Sequence, residues 1–393
     1  MTPSARLQAA IEIVDQVLFA AQSGGAAADT IIARYFKTRR YAGSKDRRAV
    51  RELAYAAIRR AGELPASGRA ALIGLVEDRP ELADLFDGSP HCPPPIAPDE
   101  HPAPAGVAPA WLVEKLTASL GPDELSALLG RAPLDLRVNR LKATREAIMA
   151  ELPDAVPGSL SPDALRLPEG TNVENLPAFN QGRVEVQDEG SQLIAAACEA
   201  TPGANVVDLC AGAGGKTLAL AAAMGGQGHL IACDIDRSRL SRLQPRAERA
   251  STNIIELRLL DGGSERQGLA DISGLADIVL IDAPCSGTGT WRRNPEARWR
   301  LTPARLDRLV ETQRQVLAIG AALVKPGGRL VYAVCSLLDE EGRAQVETFL
   351  KSYSGWEPAD PLSAGRTHGP GRRLTPAHDG TDGFFIAALE RTC

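Results

Sequence analysis

The chain has 393 residues, a formal net charge of −5 and 44% hydrophobic residues. This length suggests about two or three domains, and the acidic balance argues against nucleic-acid affinity spread over the whole surface. The sequence predicts no secretory signal, because Arg6, Glu12 and Asp15 interrupt the apolar residues of the amino terminus. It predicts no membrane span, because no apolar run approaches the ~20 residues that cross a bilayer.

The cysteines are scattered and show no C-x-x-C spacing, so neither a disulfide framework nor a metal site is predicted. A reducing, cytoplasmic setting fits this usage best. The simplest interpretation of any one cysteine is a small buried hydrophobic residue. The seven cysteines are Cys92, Cys198, Cys210, Cys233, Cys285, Cys335 and Cys393.

The amino-terminal residues 1–87 are predicted to form a helical domain. Leu7, Ile11 and Val14 recur at helical spacing, and Ser44 is placed to cap a later helix. No strand pattern is visible in this stretch.

A basic segment, residues 34–60, lies inside this acidic chain. It holds ten Lys or Arg and two acidic residues, a local net charge of +8, with aromatic residues between them. The ordinary interpretation of such a cluster is a solvated helix face, but the contrast with the overall charge favours a patch that binds RNA phosphates. The candidate RNA-binding residues are Arg39, Arg40, Lys45, Arg47 and Arg48.

A proline-rich stretch follows the helical domain. Residues 88–106 carry seven prolines, which fix φ and remove backbone donors, so residues 88–108 are predicted to be a linker. Residues 109–182 are predicted to form a small α+β subdomain, in which LDLRVNR is a strand and Thr144 caps a short helix.

After Gln187 the pattern changes to a regular alternation of strands and helices. Apolar, partly β-branched runs such as NVVDLC, HLIACDI and DIVLIDAP are separated by helical stretches. This pattern predicts an α/β domain with a doubly wound, mostly parallel sheet, which we place at residues 183–393. Such sheets bind ligands at the carboxyl ends of their strands.

A glycine-rich loop, NVVDLCAGAGGKT at residues 205–217, follows the first of these strands and opens a helix. It fits neither nucleotide motif, because a Walker A loop needs glycine where Cys210 stands and a G-x-G-x-x-G loop needs glycine where Thr217 stands. The remaining interpretation is the loop of an S-adenosylmethionine enzyme, whose glycines accommodate a carboxylate-bearing tail. The candidate cofactor-binding residues of the loop are Cys210, Ala211, Gly212, Ala213, Gly214, Gly215 and Lys216.

Acidic residues end the next three strands. Asp234 ends the second strand, where a carboxylate can accept both ribose hydroxyls, and Asp261 and Asp282 end the third and fourth. Each alone is most simply a turn or helix cap. Together with the glycine loop they favour a neutral or cationic adenosyl ligand over a polyphosphate, which three carboxylates would repel.

Cys285 and Cys335 are predicted at the ends of adjacent strands, each followed by serine. Core packing explains a cysteine within a strand better than one at its end. A thiol with a pKa near 8.5 is only about 3% ionised at pH 7, and Lys216 is the candidate cation that stabilises the thiolate. No histidine is well placed, which argues against a Cys-His hydrolase.

In order and spacing, the motifs DLCAGAGGKT, CDID, LLDGG, LIDAPCSGTG and VYAVCS resemble those of the Sun/Fmu-type RNA 5-methylcytosine methyltransferases, of the RsmB/NOP family. LRVNRLK, VQDEGSQ and TDGFFIA match the same family, so the resemblance covers roughly residues 109–390. The amino-terminal region is more loosely similar to the NusB-like RNA-binding domain of the bacterial rRNA enzymes in this family.

The resemblance implies a Rossmann-like methyltransferase domain that moves a methyl group from S-adenosylmethionine to carbon 5 of a cytosine in RNA, through a covalent cysteine adduct. It implies that Cys335 is the nucleophile, that Cys285 assists product release, and that Asp282 holds the nitrogen edge of the base. With Asp234 and Asp261, Asp282 would also line the cofactor site. The small α+β subdomain would bind RNA as well, small-subunit rRNA is the expected substrate with tRNA the alternative, and a monomer is expected.

The chain departs from the family pattern at two places. Val334 stands where the family usually has threonine, and Gly212-Ala213 stands where it has Ala-Pro; we interpret both as variants that keep activity. Two other functions stay open. An inert RNA-binding scaffold would not need both Cys285 and Cys335, and an NAD-type dehydrogenase is disfavoured by the glycine spacing.

Overall fold

The computed structural model describes residues 1–392, which form two compact units. The helical unit consists of Met1–Arg131 together with Thr290–Thr302, and the sheet unit consists of Ala132–Gly289 and the residues from Pro303 onward. The chain thus leaves the sheet unit at residue 290 and returns at residue 303, within the stretch that the sequence assigned to one domain.

Helices build the helical unit, and their apolar faces share one core that includes Leu7, Ile13 and Ile58. Its α-helices are α1 (Pro3–Ser23), α2 (Ala28–Lys37), α3 (Ser44–Arg60), α4 (Gly68–Asp78) and α5 (Ala110–Leu120). Its 3-10 helices are Pro80–Leu85, Pro122–Leu129 and Pro295–Arg300. Among residues 1–392, no helix combines the length and the hydropathy that crossing a membrane requires.

The start of α3 differs from the prediction by one residue. Gly43, not Ser44, is the N-cap, because the Asp46 carboxylate accepts the backbone N–H of Gly43 at 3.1 Å and closes the first turn. Ser44 is the first helical residue. The helix was predicted correctly, but its cap was assigned to the wrong residue.

Residues 290–302, the stretch that leaves the sheet unit, are anchored in the helical unit by hydrogen bonds to helix ends. Arg298, which is fully buried, donates to the carbonyl of Ala61 after α3 at 2.7 Å. Glu296 accepts the N–H of Ala28, the first residue of α2, at 2.8 Å. Because helix ends leave backbone groups unpaired, this segment completes helices that lie more than two hundred residues earlier in the chain.

The proline-rich stretch contains no helix or strand of its own but packs on the helical unit. The N–H of Ala103 donates to the carbonyl of Ala70, and the N–H of Gly106 donates to that of Arg60, both at 2.9 Å. Ala103 is buried. Residues 88–108, predicted to be a linker, are therefore ordered against this unit.

A small antiparallel sheet opens the sheet unit. Its strands are β1 (Leu134–Val138), β2 (Val156–Pro157), β3 (Ala164–Leu167) and β4 (Val184–Val186), in the order β2-β3-β1-β4. The helix α6 (Arg145–Glu151), capped by Thr144 as predicted, packs on it through Ile148. The sheet extends past the predicted boundary at residue 182, because Val184 of β4 pairs with Val138 of β1.

A larger sheet forms the rest of the unit. Its strands are β5 (Asn205–Asp208), β6 (His229–Asp234), β7 (Ile255–Leu259), β8 (Ala276–Asp282), β9 (Val324–Val334), β10 (Trp356–Ala359), β11 (Arg366–His368), β12 (Gly371–Leu374) and β13 (Phe384–Arg391). Parallel pairing joins β7, β6, β5, β8 and β9 in that order, and antiparallel β13, β12 and β11 extend the edge beyond β9, with β10 paired to β13. The predicted doubly wound, mostly parallel sheet is confirmed.

Both faces of this sheet are buried. In β8, Val279 and Ile281 join one core, whereas Ile278 and Leu280 join another, because successive side chains of a strand point to opposite faces. The remaining α-helices of the unit are α7 (Pro177–Asn180), α8 (Glu189–Ala196), α9 (Gly215–Ala223), α10 (Arg237–Leu240), α11 (Leu243–Ala250), α12 (Glu265–Gly268), α13 (Pro303–Leu323), α14 (Arg343–Ser352) and α15 (Pro376–Asp379).

The strand order reverses at β5. From β5 the chain runs outward through β6 and β7, then crosses back to β8 and β9 on the other side. At such a switch point the loops after the strands diverge and leave a crevice at the carboxyl ends. The loops after β5, β6, β8 and β9 therefore line one crevice.

Candidate active site

The glycine loop after β5 forms one wall of the crevice. Gly212 and Gly214 have φ values of 55° and 84°, in the left-handed region that favours glycine. A Cβ on Gly214 would approach the Leu243 side chain to 2.0 Å, so only glycine fits there. Gly215 begins α9, whose first N–H groups lack helical partners and suit an anionic ligand group.

The other predicted residues of this loop contribute backbone or pack inward. The N–H of Ala211 donates to the carbonyl of Cys233 at 2.8 Å, and the carbonyl of Ala213 accepts from a guanidinium of α11. The Cys210 side chain packs against the core. Burial, with the charge of Asp208 second, raises the pKa of Cys210 well above its usual range, which excludes it as a ready thiolate.

Asp234, at the end of β6, is tied to the glycine loop. One oxygen of its buried carboxylate accepts the N–H of Gly212 at 2.7 Å, and the other accepts the N–H of Asp236 at 2.8 Å. Each oxygen keeps a further acceptor position. Asp234 therefore shapes the loop and can still accept hydrogen bonds from a ligand.

Asp208, the last residue of β5, is a buried acid that the sequence analysis missed. Thr217 donates to its Oδ2 at 2.6 Å, while its Oδ1 has no hydrogen-bond partner among residues 1–392. Burial raises its pKa to about 7 against the effect of the Thr217 hydrogen bond, and the charge of Asp282 adds to the rise. The signal was present, because Asp208 ends its strand just as Asp234 does.

Asp261 lies at the same edge of the sheet but farther out. It stands two residues beyond the end of β7 at Leu259, and Leu259 is the register partner of Asp234 on the neighbouring strand. Its side chain is exposed. Its assignment to the cofactor site stays a prediction.

Lys216 and Asp282 form an ion pair across the crevice, from the first turn of α9 to the end of β8. The Lys216 Nζ lies 2.6 Å from Asp282 Oδ2. Burial acts to lower the pKa of Lys216, but the charge and hydrogen bond of Asp282, with the charge of a Cys335 thiolate, raise it overall. Lys216 therefore stays cationic, as the prediction of a thiolate-stabilising cation requires.

The sulfur atoms of Cys285 and Cys335 lie 3.3 Å apart. Parallel pairing of β8 with β9 brings them together, since Asp282 and Ala333 are register partners just before the two cysteines. The hydrogen bond to Cys335, followed by burial, raises the pKa of Cys285 well above its usual range. Cys285 therefore holds its proton at neutral pH, and either sulfur can be the donor in this contact.

The serines after the two cysteines also meet. Ser286 Oγ lies 3.1 Å from Ser336 Oγ, and both hydroxyls donate to one carboxylate oxygen of Glu341. Glu341 is fully buried. The sequence analysis noted both serines without a role and did not single out Glu341, which lies in the run LLDEEG with no strand or helix pattern to mark it.

The candidate RNA-binding residues lie on the helical unit and differ in their surroundings. Arg39 stacks over the Tyr35 ring at 3.7 Å and pairs with Glu12 at 3.3 Å, so its charge is partly offset. Arg47 is exposed but donates through Nε to a backbone carbonyl at 2.9 Å. Arg40, Lys45 and Arg48 are exposed side chains.

The crevice fits an adenosyl cofactor with a charged amino-acid tail. A Cβ on Gly215 would meet no atom closer than 3.8 Å, so the loop opens onto free space there. The helix N–H groups suit a carboxylate. The unpaired oxygen of Asp208 and the free acceptor positions of Asp234 suit hydroxyl and cationic groups.

Two family models match this chain. The model of the 16S rRNA methyltransferase RsmB/F matches residues 195–390, and that of the RsmF/B-like ferredoxin-like domain matches residues 108–174. The chain is 36% identical over 301 residues to a probable ribosomal RNA small subunit methyltransferase B of Synechocystis. It is 34% identical over 289 residues to the ribosomal RNA small subunit methyltransferase B of Yersinia enterocolitica. Both alignments cover 72% of this chain and 66% of the relative, so the chain spans about two thirds of their length.

Solved structures share the fold. The crystal structure of the protein PH0851 superposes with a TM-score of 0.79 at 26% identity, covering 99% of both chains. A methyltransferase homologue protein from Pyrococcus horikoshii superposes with a TM-score of 0.64 at 26% identity, covering 72% of this chain and 94% of that one.

Proposed function

This chain belongs to the 16S rRNA methyltransferase RsmB/F family, and we propose that it transfers a methyl group from S-adenosylmethionine to carbon 5 of a cytosine in RNA. The observation that carries the proposal is the pair of cysteine sulfurs, 3.3 Å apart, at the ends of β8 and β9. Small-subunit rRNA is the proposed substrate, with tRNA the alternative.

The chemistry needs a nucleophile on the protein, because carbon 5 of cytosine is a poor one by itself. S-adenosylmethionine, when bound, supplies an electrophilic methyl group. The Cys335 thiolate adds to carbon 6 and forms a carbon–sulfur bond, which turns carbon 5 into an enamine-like nucleophile that takes the methyl. The methyl transfer releases S-adenosylhomocysteine. Water then takes the proton from carbon 5, which restores the double bond, breaks the carbon–sulfur bond and frees Cys335 as thiolate.

The two cysteines have different roles in this proposal. The Cys285 sulfur lies 3.3 Å from the Cys335 sulfur, so both thiols reach the same point of the crevice. In this proposal Cys335 attacks the base, and Cys285 assists release of the methylated product.

The Lys216–Asp282 pair supports the base. One oxygen of Asp282 is engaged by Lys216 at 2.6 Å, so the other can accept from the exocyclic amine of cytosine. The ammonium of Lys216 offsets negative charge that develops in the ring when a thiolate adds. Both residues lie partly buried, with exposed fractions of 13% for Lys216 and 30% for Asp282, which strengthens these interactions.

The helical unit would hold RNA through its exposed basic residues. Arg40, Lys45 and Arg48 are exposed and suit phosphate contacts, which set affinity rather than sequence choice. The small sheet of β1–β4 is a second proposed RNA-binding element. A reducing cytoplasm, which keeps both thiols free, and a monomeric state belong to the same proposal.

The test is transfer of a labelled methyl group from S-adenosylmethionine to purified small-subunit rRNA and to tRNA, followed by bisulfite sequencing of the product. The proposal expects label in a cytosine that resists bisulfite conversion. Label in another base, or at a cytosine nitrogen or oxygen, contradicts it. Label in tRNA alone selects the alternative substrate.

A further inference from the structure

Two serines directly follow the two catalytic cysteines, and the proposed reaction gives neither a task. They form a second contact beneath the cysteines. Ser286 Oγ and Ser336 Oγ are 3.1 Å apart and donate to the same oxygen, Oε2 of Glu341. The Cys-Ser pair after β8 is thereby joined to the Cys-Ser pair after β9 through one carboxylate.

The other oxygen of Glu341 is equally engaged. Its Oε1 accepts the backbone N–H of Ser286 at 2.8 Å and the side-chain amide of Gln313 at 2.9 Å. Gln313, on α13, also donates to the carbonyl of Pro284 at 3.0 Å. Four donors fill the acceptor positions of the group, which is the pattern of an ionised carboxylate.

The site is closed and fully buried. The exposed fractions of Glu341, Gln313 and Ser336 are all 0%. Among residues 1–392 no basic side chain pairs with Glu341, so hydrogen bonds alone compensate its burial. A buried carboxylate lowers the stability of the fold unless every hydrogen-bond donor is in position. Its presence here therefore indicates a specific structural role for Glu341.

The geometry points to Glu341 as a positioning residue. We propose that Ser286, Ser336 and Glu341 form a clamp that holds Cys285 and Cys335 at the separation that attack and release require. The inference rests on the proposed two-cysteine function of that site. Thr288 reinforces the clamp, since its Oγ1 lies 3.1 Å from Ser336 Oγ.

The reason for a clamp lies in the backbone. Beyond Asp282 and Val334 the two strands end. Two backbone hydrogen bonds continue past them, from Ala283 to the carbonyl of Ala333 and from Gly289 to the carbonyl of Cys335, and the serine contacts add to these. A displacement of about 1 Å at a reacting group can cost on the order of a hundredfold in rate. Serine hydroxyls directly after the cysteines reach inward to one shared acceptor and fix both segments at once.

The first test is Glu341→Gln, which keeps the shape but replaces an acceptor by a donor. We expect kcat to fall on the order of a hundredfold, while the KM for RNA and the affinity for S-adenosylmethionine stay within roughly twofold. Hydrogen exchange at the amide of Ser286, which Glu341 accepts, should become faster. Glu347→Gln is the matched control, because Glu347 lies on α14 and pairs with Arg343 at the surface.

The second test is a double-mutant cycle with Ser286→Ala and Ser336→Ala, which decides the matter even if Glu341→Gln does not fold. Each change should lower kcat roughly tenfold. Because both serines act through one carboxylate, the double variant should lose clearly less than the product of the two effects. Fully additive effects, or an unchanged kcat in Glu341→Gln, would overturn the clamp.

The clamp and the proposed function can fail separately. Trapping of a covalent RNA adduct by Cys285→Ser tests the function with the clamp intact. If that variant traps RNA but loss of Glu341 changes neither kcat nor amide exchange, the clamp is wrong and the function stands. If no adduct forms with the clamp intact, the two-cysteine function itself is wrong.

Discussion

The Sγ of Cys285 lies 3.3 Å from the Sγ of Cys335, although 50 residues separate them in the chain. The contact follows from parallel pairing of β8 with β9, which sets Asp282 opposite Ala333. The contact places both thiols at one point of the crevice, where the proposal has Cys335 attack the base and Cys285 assist release.

Replacement of Asp234 by alanine should weaken S-adenosylmethionine binding at least about tenfold, since charge-assisted hydrogen bonds contribute about 1.5–3 kcal/mol. The loss has two sources, because Asp234 offers acceptors to the cofactor and also holds Gly212 at 2.7 Å. Calorimetric titration measures it. Asp261→Ala is the matched comparison, and its exposed carboxylate should matter less. An unchanged affinity in Asp234→Ala would contradict the assignment of Asp234.

Neutralising Arg40 and Arg48 should weaken RNA binding and reduce its salt dependence. Each lost phosphate contact should change the slope of log K against log salt concentration by about 0.7 to 0.9. Arg51→Gln is the control, because Arg51 already pairs with Asp29 at 2.6 Å and should contribute little. A salt slope unchanged in the double variant would remove this surface from the RNA-binding proposal.

The buried Asp208 should make the protein less stable as pH rises towards neutrality. Its folded pKa is raised to about 7 from an ordinary value of 3.8, so its contribution is fully present below about pH 4 and is lost as pH rises through about 7. Asp208→Asn lacks this titration, so the decrease in the free energy of unfolding over this pH range should be smaller by up to roughly 4 kcal/mol. Denaturant unfolding at several pH values measures it.

Asp236 supplies a control of opposite sign. The hydrogen bonds of Ser238 and of the backbone after it lower the pKa of this exposed cap, so its contribution is present at neutral pH and is lost as the solution becomes acidic. Asp236→Asn should therefore leave the neutral-pH decline of the wild type in place. Parallel curves for Asp208→Asn and the wild type would show that Asp208 titrates normally.

The parts that the sequence could predict are those that depend on local pattern. Strand ends at Asp234 and Asp282, and the adjacent placement of Cys285 and Cys335, follow from apolar runs and from the rule that parallel strands present their carboxyl ends together. The cap of α3 is a different case. The sequence predicts Ser44, because serine is a common side-chain cap, whereas Asp46 closes the turn on Gly43.

The parts that the sequence could not predict depend on long-range contacts. Residues 290–302 belong to the helical unit because Arg298 and Glu296 pair with backbone groups at helix ends. Hydrophobic periodicity within the segment does not predict contacts with residues so far away in the chain. Glu341 is similar. A glutamate in a charged run reads as solvated, and only the folded chain shows that four donors surround it.

The central claim is that Cys335 attacks and Cys285 assists release. Serine cannot replace a thiolate nucleophile without a strong base, so Cys335→Ser should abolish methylation and form no covalent complex. Cys285→Ser should still permit attack and methyl transfer but should slow release. If both residues were only core packing, each change would cost stability alone.

The most direct measurement is denaturing electrophoresis of each variant after incubation with its RNA and S-adenosylmethionine. The account predicts a protein–RNA adduct with Cys285→Ser that disappears in the Cys285→Ser/Cys335→Ser double variant, and no adduct with Cys335→Ser alone. An adduct with Cys335→Ser would reverse the two roles. Folded, active single variants that both fail to trap RNA would contradict the two-cysteine mechanism for this chain.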